Sequence, residues 1–352
     1  MRYLVVGTGA VGGYLGGRLA LAGQPVVFVA RPKQAETLRQ TGLTLLEGGQ
    51  ASPLSTVRLE TDLASACTAF DPQLILLAVK TYALEAVIQD LQRVTTPLPA
   101  LVCLLNGLGN EQQLAKAFGP QQVIAASLTT AVQVSDPGTI QVEKARGLGL
   151  HAAHPLAPAF LEELSRAGLN PRAYANADAM KWSKLLTNLV SNASSAIVHW
   201  TPAQVYAHPG LFRLEVEALR ETVRVMRRKR IPVVDLPGVP TTWFARVVGW
   251  PPALSRPLLA RVVAAGRGDK LPSFVQDLAR RHSEVEWLNG AVARQAEAAG
   301  LAAPANRVLC EVLMALVRGA EDLLAYRQHP ERLLQRAAAG GVPGVTGYNP
   351  AG

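Results

Sequence analysis

Lys184, Asn188 and Asn192 follow one another at intervals of four, which sets one cation and two carboxamides on a single face of a helix. At about 100° per residue the three directions fall within about 80° of one another, and Trp182, Leu185, Leu186, Leu189 and Val190 fill roughly the opposite arc. A face meant only to keep a helix soluble usually carries Glu, Lys and Arg, because Asn is a middling helix former that gains nothing from ion pairing. An ammonium beside two neutral hydrogen-bonding groups suits a small polar ligand. It can stabilise an oxygen on which negative charge develops and hand that oxygen a proton. Taken alone, the same face also reads as ordinary solvated surface. Lys181, just before Trp182, receives no role.

A second set opens the chain. Gly7-Thr8-Gly9-Ala10-Val11-Gly12 follows a predicted strand and begins a predicted helix, the context in which such a run cradles a dinucleotide. The first Gly permits the tight turn, the second lets backbone N–H groups approach a pyrophosphate, and the third lets helix and strand pack closely. Gly13, Gly16 and Gly17 continue along a helix that they weaken, and close packing is the reason expected for them. After the second strand pattern, Val26 to Ala30, Arg31 stands where a carboxylate would hold the adenosine ribose of NAD. A cation there, with Lys33 nearby, suits a 2′-phosphate, so the expected cofactor is NADP(H). Lys80 and Asn106 each stand at the carboxyl end of a predicted strand, the edge where open α/β sheets bind ligands.

The elements that must position these residues change character along the chain. Through the first half, short apolar runs alternate with helical patterns: 2–6, 10–22, 25–30, 74–79, 82–93, 101–105, 110–117 and 123–126. That repetition predicts a parallel sheet covered on both faces. The continuously apolar stretches 74–79 and 101–105 suit strands buried on both sides. The alternating, Gly-rich stretch 139–152 predicts antiparallel edge strands closing the sheet. Beyond residue 177 helices dominate: 178–198, 210–230, 253–266, 273–280, 284–299 and 304–326. Pro and Gly break up 231–272, which reads as an irregularly packed segment or an insertion. The expected fold class is therefore α/β, an N-terminal Rossmann-type dinucleotide-binding domain (1–176) followed by a mostly α-helical domain (177–336), with a mobile tail (337–352).

Composition limits the function classes. A chain of 352 residues with 49% apolar and 17% charged residues is ordered and long enough for two cores. The net charge of +9 draws anions, but its densest run, Arg224 to Arg230, has no interleaved aromatics and continues an amphipathic helix, so nucleic acid is not expected. Three scattered cysteines, Cys67, Cys103 and Cys310, form no metal or redox motif and suit reduced thiols in a cytoplasmic protein. No signal segment or membrane span is expected, nor any metal.

Together, Gly7 to Gly12, Arg31, Lys80-Thr81, Leu105-Asn106-Gly107, the Lys184, Asn188 and Asn192 set, Pro272-Ser-Phe-Val-Gln-Asp277 and Ser283-Glu-Val-Glu-Trp-Leu-Asn-Gly290 resemble ketopantoate reductase (2-dehydropantoate 2-reductase). The likeness covers most of residues 1–320. It implies NADPH-dependent reduction of ketopantoate, a small 2-oxo acid, to pantoate, a step towards pantothenate and coenzyme A. It also implies that Lys184 is the proton donor, that Asn188 and Asn192 hold the substrate, and that Ser273 meets its carboxylate. By the same likeness Glu284 supports lysine and cofactor, Asn106 bridges nicotinamide and substrate, and Lys80 lies near the cofactor. Two departures, Phe274 for Met and Ser283 for Thr, and a longer 231–270 segment bear on substrate identity. From the residues alone, Ser273 after Pro272 also reads as a helix cap, and Glu284 as a solvated helix residue. Two rivals stand beside the reductase of ketopantoate: a reductase of another small 2-oxo acid, and a non-catalytic NADP(H)-binding sensor. Monomer and homodimer are both left open.

Overall fold

A computed structural model describes residues 1–54, 56–95, 97–267 and 270–345. The chain divides into two compact units: Met1–Lys181 with Leu236–Val239, and Trp182–Asp235 with the chain from Pro240 onward.

The apolar runs of the first unit become short strands. They are β1 (Tyr3–Val6), β2 (Val26–Val29), β3 (Leu43–Glu47), β4 (Gln50–Leu54), β5 (Leu59–Glu60), β6 (Leu74–Leu77), β7 (Ala100–Cys103) and β8 (Val123–Leu128), then β9 (Ala131–Asp136), β10 (Thr139–Lys144), β11 (Leu148–His151) and β12 (Pro171–Tyr174). Eight of them form a sheet in the order β12-β11-β8-β7-β6-β1-β2-β5. The pairs from β8 to β5 are parallel, and β11 is antiparallel to β8. Parallel neighbours need crossovers, supplied among others by helices α1 (Ala10–Leu21), α2 (Pro32–Thr41), α3 (Leu63–Phe70), α4 (Leu84–Gln92) and α5 (Asn110–Phe118), while α6 (Ala157–Arg166) links β11 to β12. Alternation divides each strand between two cores: Tyr3, Val5, Leu74 and Leu76 enter one, and Leu4, Val6, Ile75 and Leu77 the other. This is the two-faced burial that continuous apolar strands require.

The expectation that 139–152 closes a single sheet needs correction. β10 belongs to a separate four-stranded sheet, β4-β3-β10-β9, and only β11 joins the large one. Pairing of β10 with β3, distant in the chain, is a tertiary choice that periodicity does not encode. The two sheets explain the helix glycines. A Cβ on Gly13 would meet Ile140 at 3.0 Å and one on Gly17 would meet Leu45 at 3.2 Å, both in the small sheet, and one on Gly16 would stand 2.4 Å from the Phe28 ring of β2 in the large one.

The second unit is helical. α7 (Ala177–Leu189) enters it from the first, followed by α8 (Asn192–Val198), α9 (Pro202–Ala207) and α10 (Pro209–Arg228). After these come α11 (Thr241–Val248), α12 (Pro252–Arg267), α13 (Ser273–Ala279), α14 (Asn289–Ala298), α15 (Pro304–Arg318) and α16 (Pro330–Ala339). α10 is buried on nearly every side and packs against α9, α11, α14, α15 and α16, so it is the centre of this unit. The Pro-rich segment holds two helices, and α12 continues through Pro257 despite the lost hydrogen bond. The stretch assigned to a tail from 337 begins in the last turn of α16, with Val342 and Val345 buried, and 346–352 lie outside the described residues. Among the described residues no helix is long and apolar enough to cross a membrane, and no three His, Cys, Asp or Glu side chains gather as a metal site.

Candidate active site

In the first unit, four of the singled-out positions follow four adjacent parallel strands. Asn106 follows β7, Lys80 follows β6, Gly7 to Gly12 follow β1, and Arg31 follows β2, in that order across the sheet. They therefore share its carboxyl edge, where the strand-to-helix turns leave backbone groups unpaired.

Gly7 takes a positive φ of 98° and donates its N–H to Val29 O at 3.1 Å. A Cβ on Gly12 would lie 1.9 Å from Gly7 O, so only glycine lets α1 start against the strand. A Cβ on Gly9 would meet nothing within 4 Å. Gly9 offers no side-chain cap, and the first turn of α1 has no acidic residue. The start of this helix is thus uncapped and open beside Gly9, with the polarity that receives an anion. Thr8 is buried, its Oγ1 has no protein partner, and its carbonyl accepts from Gln34 Nε2 at 2.9 Å. Ala10 and Val11 form the first turn of α1. Arg31 is exposed at the N-cap of α2, and Lys33 is exposed in its first turn.

Lys80 is half-buried at the start of a single 3₁₀ turn, Thr81–Ala83. Thr81 Oγ1 donates to Asn106 O at 3.1 Å, and Asn110 Nδ2 donates to the same oxygen at 2.9 Å. These bonds tie the two strand ends together and leave Asn106 exposed. Beneath that turn lies Lys181, 5% exposed. Its Nζ donates to Leu105 O at 2.7 Å and pairs with Glu111 Oε1 at 2.8 Å. Burial pulls the ammonium's pKa down, but the charge of Glu111, then Cys103 and the hydrogen bond to Glu111, raise it further, so the net direction is upward. Burial and then the Glu111 charge push the Cys103 thiol well above its ordinary range. Lys181 is therefore a buried structural cation, which corrects its reading as a residue without a role. Its place before Trp182 carried no signal of this, because its partners come from β8 and from the turn and helix after β7.

In the second unit, Lys184 and Asn188 lie half-buried on α7, and Trp182, Leu185, Leu186 and Leu189 behind them are buried. Asn192 does not continue that helix. The expected span 178–198 is broken at Val190 and Ser191, and Ser191 adopts a left-handed backbone with φ 55°. Asn192 opens α8, and its Nδ2 donates to Asn188 O at 2.5 Å, satisfying a carbonyl at the end of α7. A tertiary contact decides the break: the buried Glu215 of α10 accepts the Ser191 N–H at 2.7 Å and the Ser194 hydroxyl at 2.5 Å.

Ser273 is exposed as the first residue of α13, after Pro272 at the N-cap, so it is not the cap expected as its plainer reading. Glu284 is buried rather than solvated, and it begins the 3₁₀ turn Val285–Trp287. Ser283 Oγ accepts the Val285 N–H at 3.1 Å, so this departure from Thr keeps the hydroxyl that shapes the turn. α8 packs against both α13 and α15, and α15 packs against the Glu284 turn, so the elements bearing Asn192, Ser273 and Glu284 converge. Buried polar supports missed from sequence hold them. Glu221 of α10 accepts the Ala305 and Asn306 N–H groups at 2.8 and 2.9 Å, and Asn289 Nδ2 donates to Asn306 Oδ1 at 3.0 Å. Glu215 and Glu221, acids on the apolar face of α10, were the available signal.

The family model for ketopantoate reductase PanE/ApbA matches residues 3–151, and the model for its C-terminal part matches residues 176–317. The chain belongs to the ketopantoate reductase family. A 2-dehydropantoate 2-reductase of Pyrococcus horikoshii is 25% identical over 92% of this chain and 98% of its own length. One of Archaeoglobus fulgidus is 28% identical over 91% and 98%. The crystal structure of a PanE/ApbA family ketopantoate reductase from Ralstonia eutropha JMP134, 25% identical, superposes with a TM-score of 0.77 over 91% of this chain and 99% of that one. The family boundaries fall so that one match carries the glycine cradle, Arg31, Lys80 and Asn106, and the other Lys184, Asn188, Asn192, Ser273 and Glu284.

Proposed function

We propose that this chain reduces ketopantoate to pantoate with NADPH, a step towards pantothenate and coenzyme A. The observation that carries the reading is the two-part family match, which spans both units, together with relatives named 2-dehydropantoate 2-reductase that align over nearly their whole length.

The chain's own residues fit a nicotinamide dinucleotide. The open space over Gly9, the uncapped and acid-free start of α1, and the unpartnered buried Thr8 hydroxyl together favour a pyrophosphate. Arg31 and Lys33, exposed at the start of an α2 whose first turn has no acidic residue, favour the extra phosphate of NADP(H). Lys80 and Asn106, on the same sheet edge, complete the cofactor side.

The bound cofactor supplies the hydride. Lys184 stabilises the negative charge that builds on the ketone oxygen and gives that oxygen a proton, so ketone, hydride and proton balance to an alcohol. Glu284 supports the lysine. Ser273 holds the substrate carboxylate, Asn188 and Asn192 hold its terminal hydroxyl, and Asn106 orients the reacting groups.

The experiment is NADPH oxidation by the purified protein with ketopantoate and with 2-oxoisovalerate, which lacks the hydroxyl. A site built to bond that hydroxyl is expected to prefer ketopantoate by about 10²-fold or more in kcat/KM. Equal efficiency on the two would reduce the assignment to a general 2-oxo acid reductase. Turnover of neither, by protein that binds NADPH, would overturn it.

A further inference from the structure

α10 carries three buried acids, and each has different work. Glu217 faces Arg220 at 2.7 Å, and Glu221 caps the start of α15. Glu215, 1% exposed, reaches to the two-residue break between α7 and α8.

That break is an unfavourable backbone. Ser191 is a non-glycine residue in the left-handed region, a conformation that is disfavoured and persists only when its surroundings hold it. It is also the N-cap of α8, yet its side chain makes no cap hydrogen bond, and its Oγ is buried without a partner. The Glu215 carboxyl group reaches in from α10 much as the N3 acid of a capping box reaches back, taking the N–H of Ser191, the N-cap itself, with one oxygen and the Ser194 hydroxyl with the other. Two hydrogen bonds to one buried side chain hold such a turn. The next residue is Asn192, whose amide is aimed back at Asn188 O.

We infer that Glu215 is a positioning residue: by holding the Ser191 turn it fixes the Asn192 carboxamide and, through it, discrimination for the substrate's terminal hydroxyl. The second half of this statement rests on the function proposed above; the first half does not.

Glu215→Gln is the main variant, since an amide keeps the shape but cannot accept at both oxygens. Glu217→Gln, on the same helix, is the comparison. The first readout is the side-chain amide NMR signal of Asn192 in selectively labelled protein, assigned by its disappearance in Asn192→Asp. It is expected to shift or broaden in Glu215→Gln and to stay in place in Glu217→Gln. The second readout is kinetic: KM for ketopantoate rises about 10-fold and the preference over 2-oxoisovalerate falls by a similar factor, while NADPH affinity stays within about 2-fold. Should Glu215→Gln fail to fold, Ser194→Ala removes only one of the two contacts and is expected to show the same changes at about a third of the size. An unmoved Asn192 signal overturns the inference whatever the substrate is. An unchanged preference, or a parallel loss of turnover, KM and NADPH affinity, reduces Glu215 to a general structural role. A shifted Asn192 signal in a protein whose wild type has no preference for ketopantoate would sink the proposed substrate and leave the positioning intact.

Discussion

The Lys181 ammonium stands 2.8 Å from the Glu111 carboxylate, with both side chains largely withdrawn from solvent. The same nitrogen holds Leu105 O, the carbonyl just before Asn106. A buried pair of this kind adds little net stability over apolar replacements, but breaking it leaves an uncompensated charge. Lys181→Met and Glu111→Gln should therefore each destabilise the first unit by about 3 to 5 kcal/mol, and Lys181→Met/Glu111→Leu should recover part of that loss. Urea unfolding of the four proteins is the measurement, and a double variant no better than the singles would count against the pair as the cause.

Arg31 should decide cofactor choice. Contacts from a cation to a phosphate are worth about 1.5 to 3 kcal/mol, so Arg31→Ala should raise KM for NADPH roughly 10- to 150-fold and leave the use of NADH nearly unchanged. A wild-type protein that oxidises NADH as readily as NADPH would contradict the assignment.

Lys184→Ala should lose turnover rather than cofactor affinity. Removal of a positioned acid costs about 10²- to 10⁴-fold in rate. Fluorescence titration should find NADPH binding close to wild type in this variant, and also in Asn192→Ala and Ser273→Ala, whose losses should fall on the oxo acid. A collapse of NADPH affinity in all three would move these residues to the cofactor.

The Glu221 carboxyl is raised above its ordinary value of 4.5 by burial, while the N–H groups of Asn306 and Ala305, the Asn306 side chain and Arg224 oppose the shift only in part. The folded protein thus holds this proton more tightly than the unfolded chain does. Its contribution to stability is complete below the ordinary value and is lost as pH rises through the folded value. Wild type minus Glu221→Gln, compared by denaturation across that window, should show a difference that is largest on the acid side and shrinks with rising pH. A difference that grows with pH would reverse the sign and refute the account.

The sequence by itself determined the parallel sheet, the glycine turn after β1 and the mostly helical second half. Each of these rests on short-range rules: alternation within a strand, the glycine spacing of one turn, and the apolar stripe of one helix. The break at Ser191, the second sheet around β10 and helix α11 came only with tertiary structure. The first depends on Glu215, which lies far along the chain, the second on pairing with β3 and the third on packing against α10, whereas α12, expected at 253–266, keeps its course through Pro257. Lys181 and Lys184 make the difference plain. Three residues apart on one helix and alike in type, they can be ranked as candidate chemistry only by their neighbours at i+4, where Leu185 follows the first and Asn188 the second. That Lys181 is nonetheless a buried cation was decided by Leu105, Ala126 and Glu111, because a charge withdrawn from water must find its partners wherever the folded chain brings them.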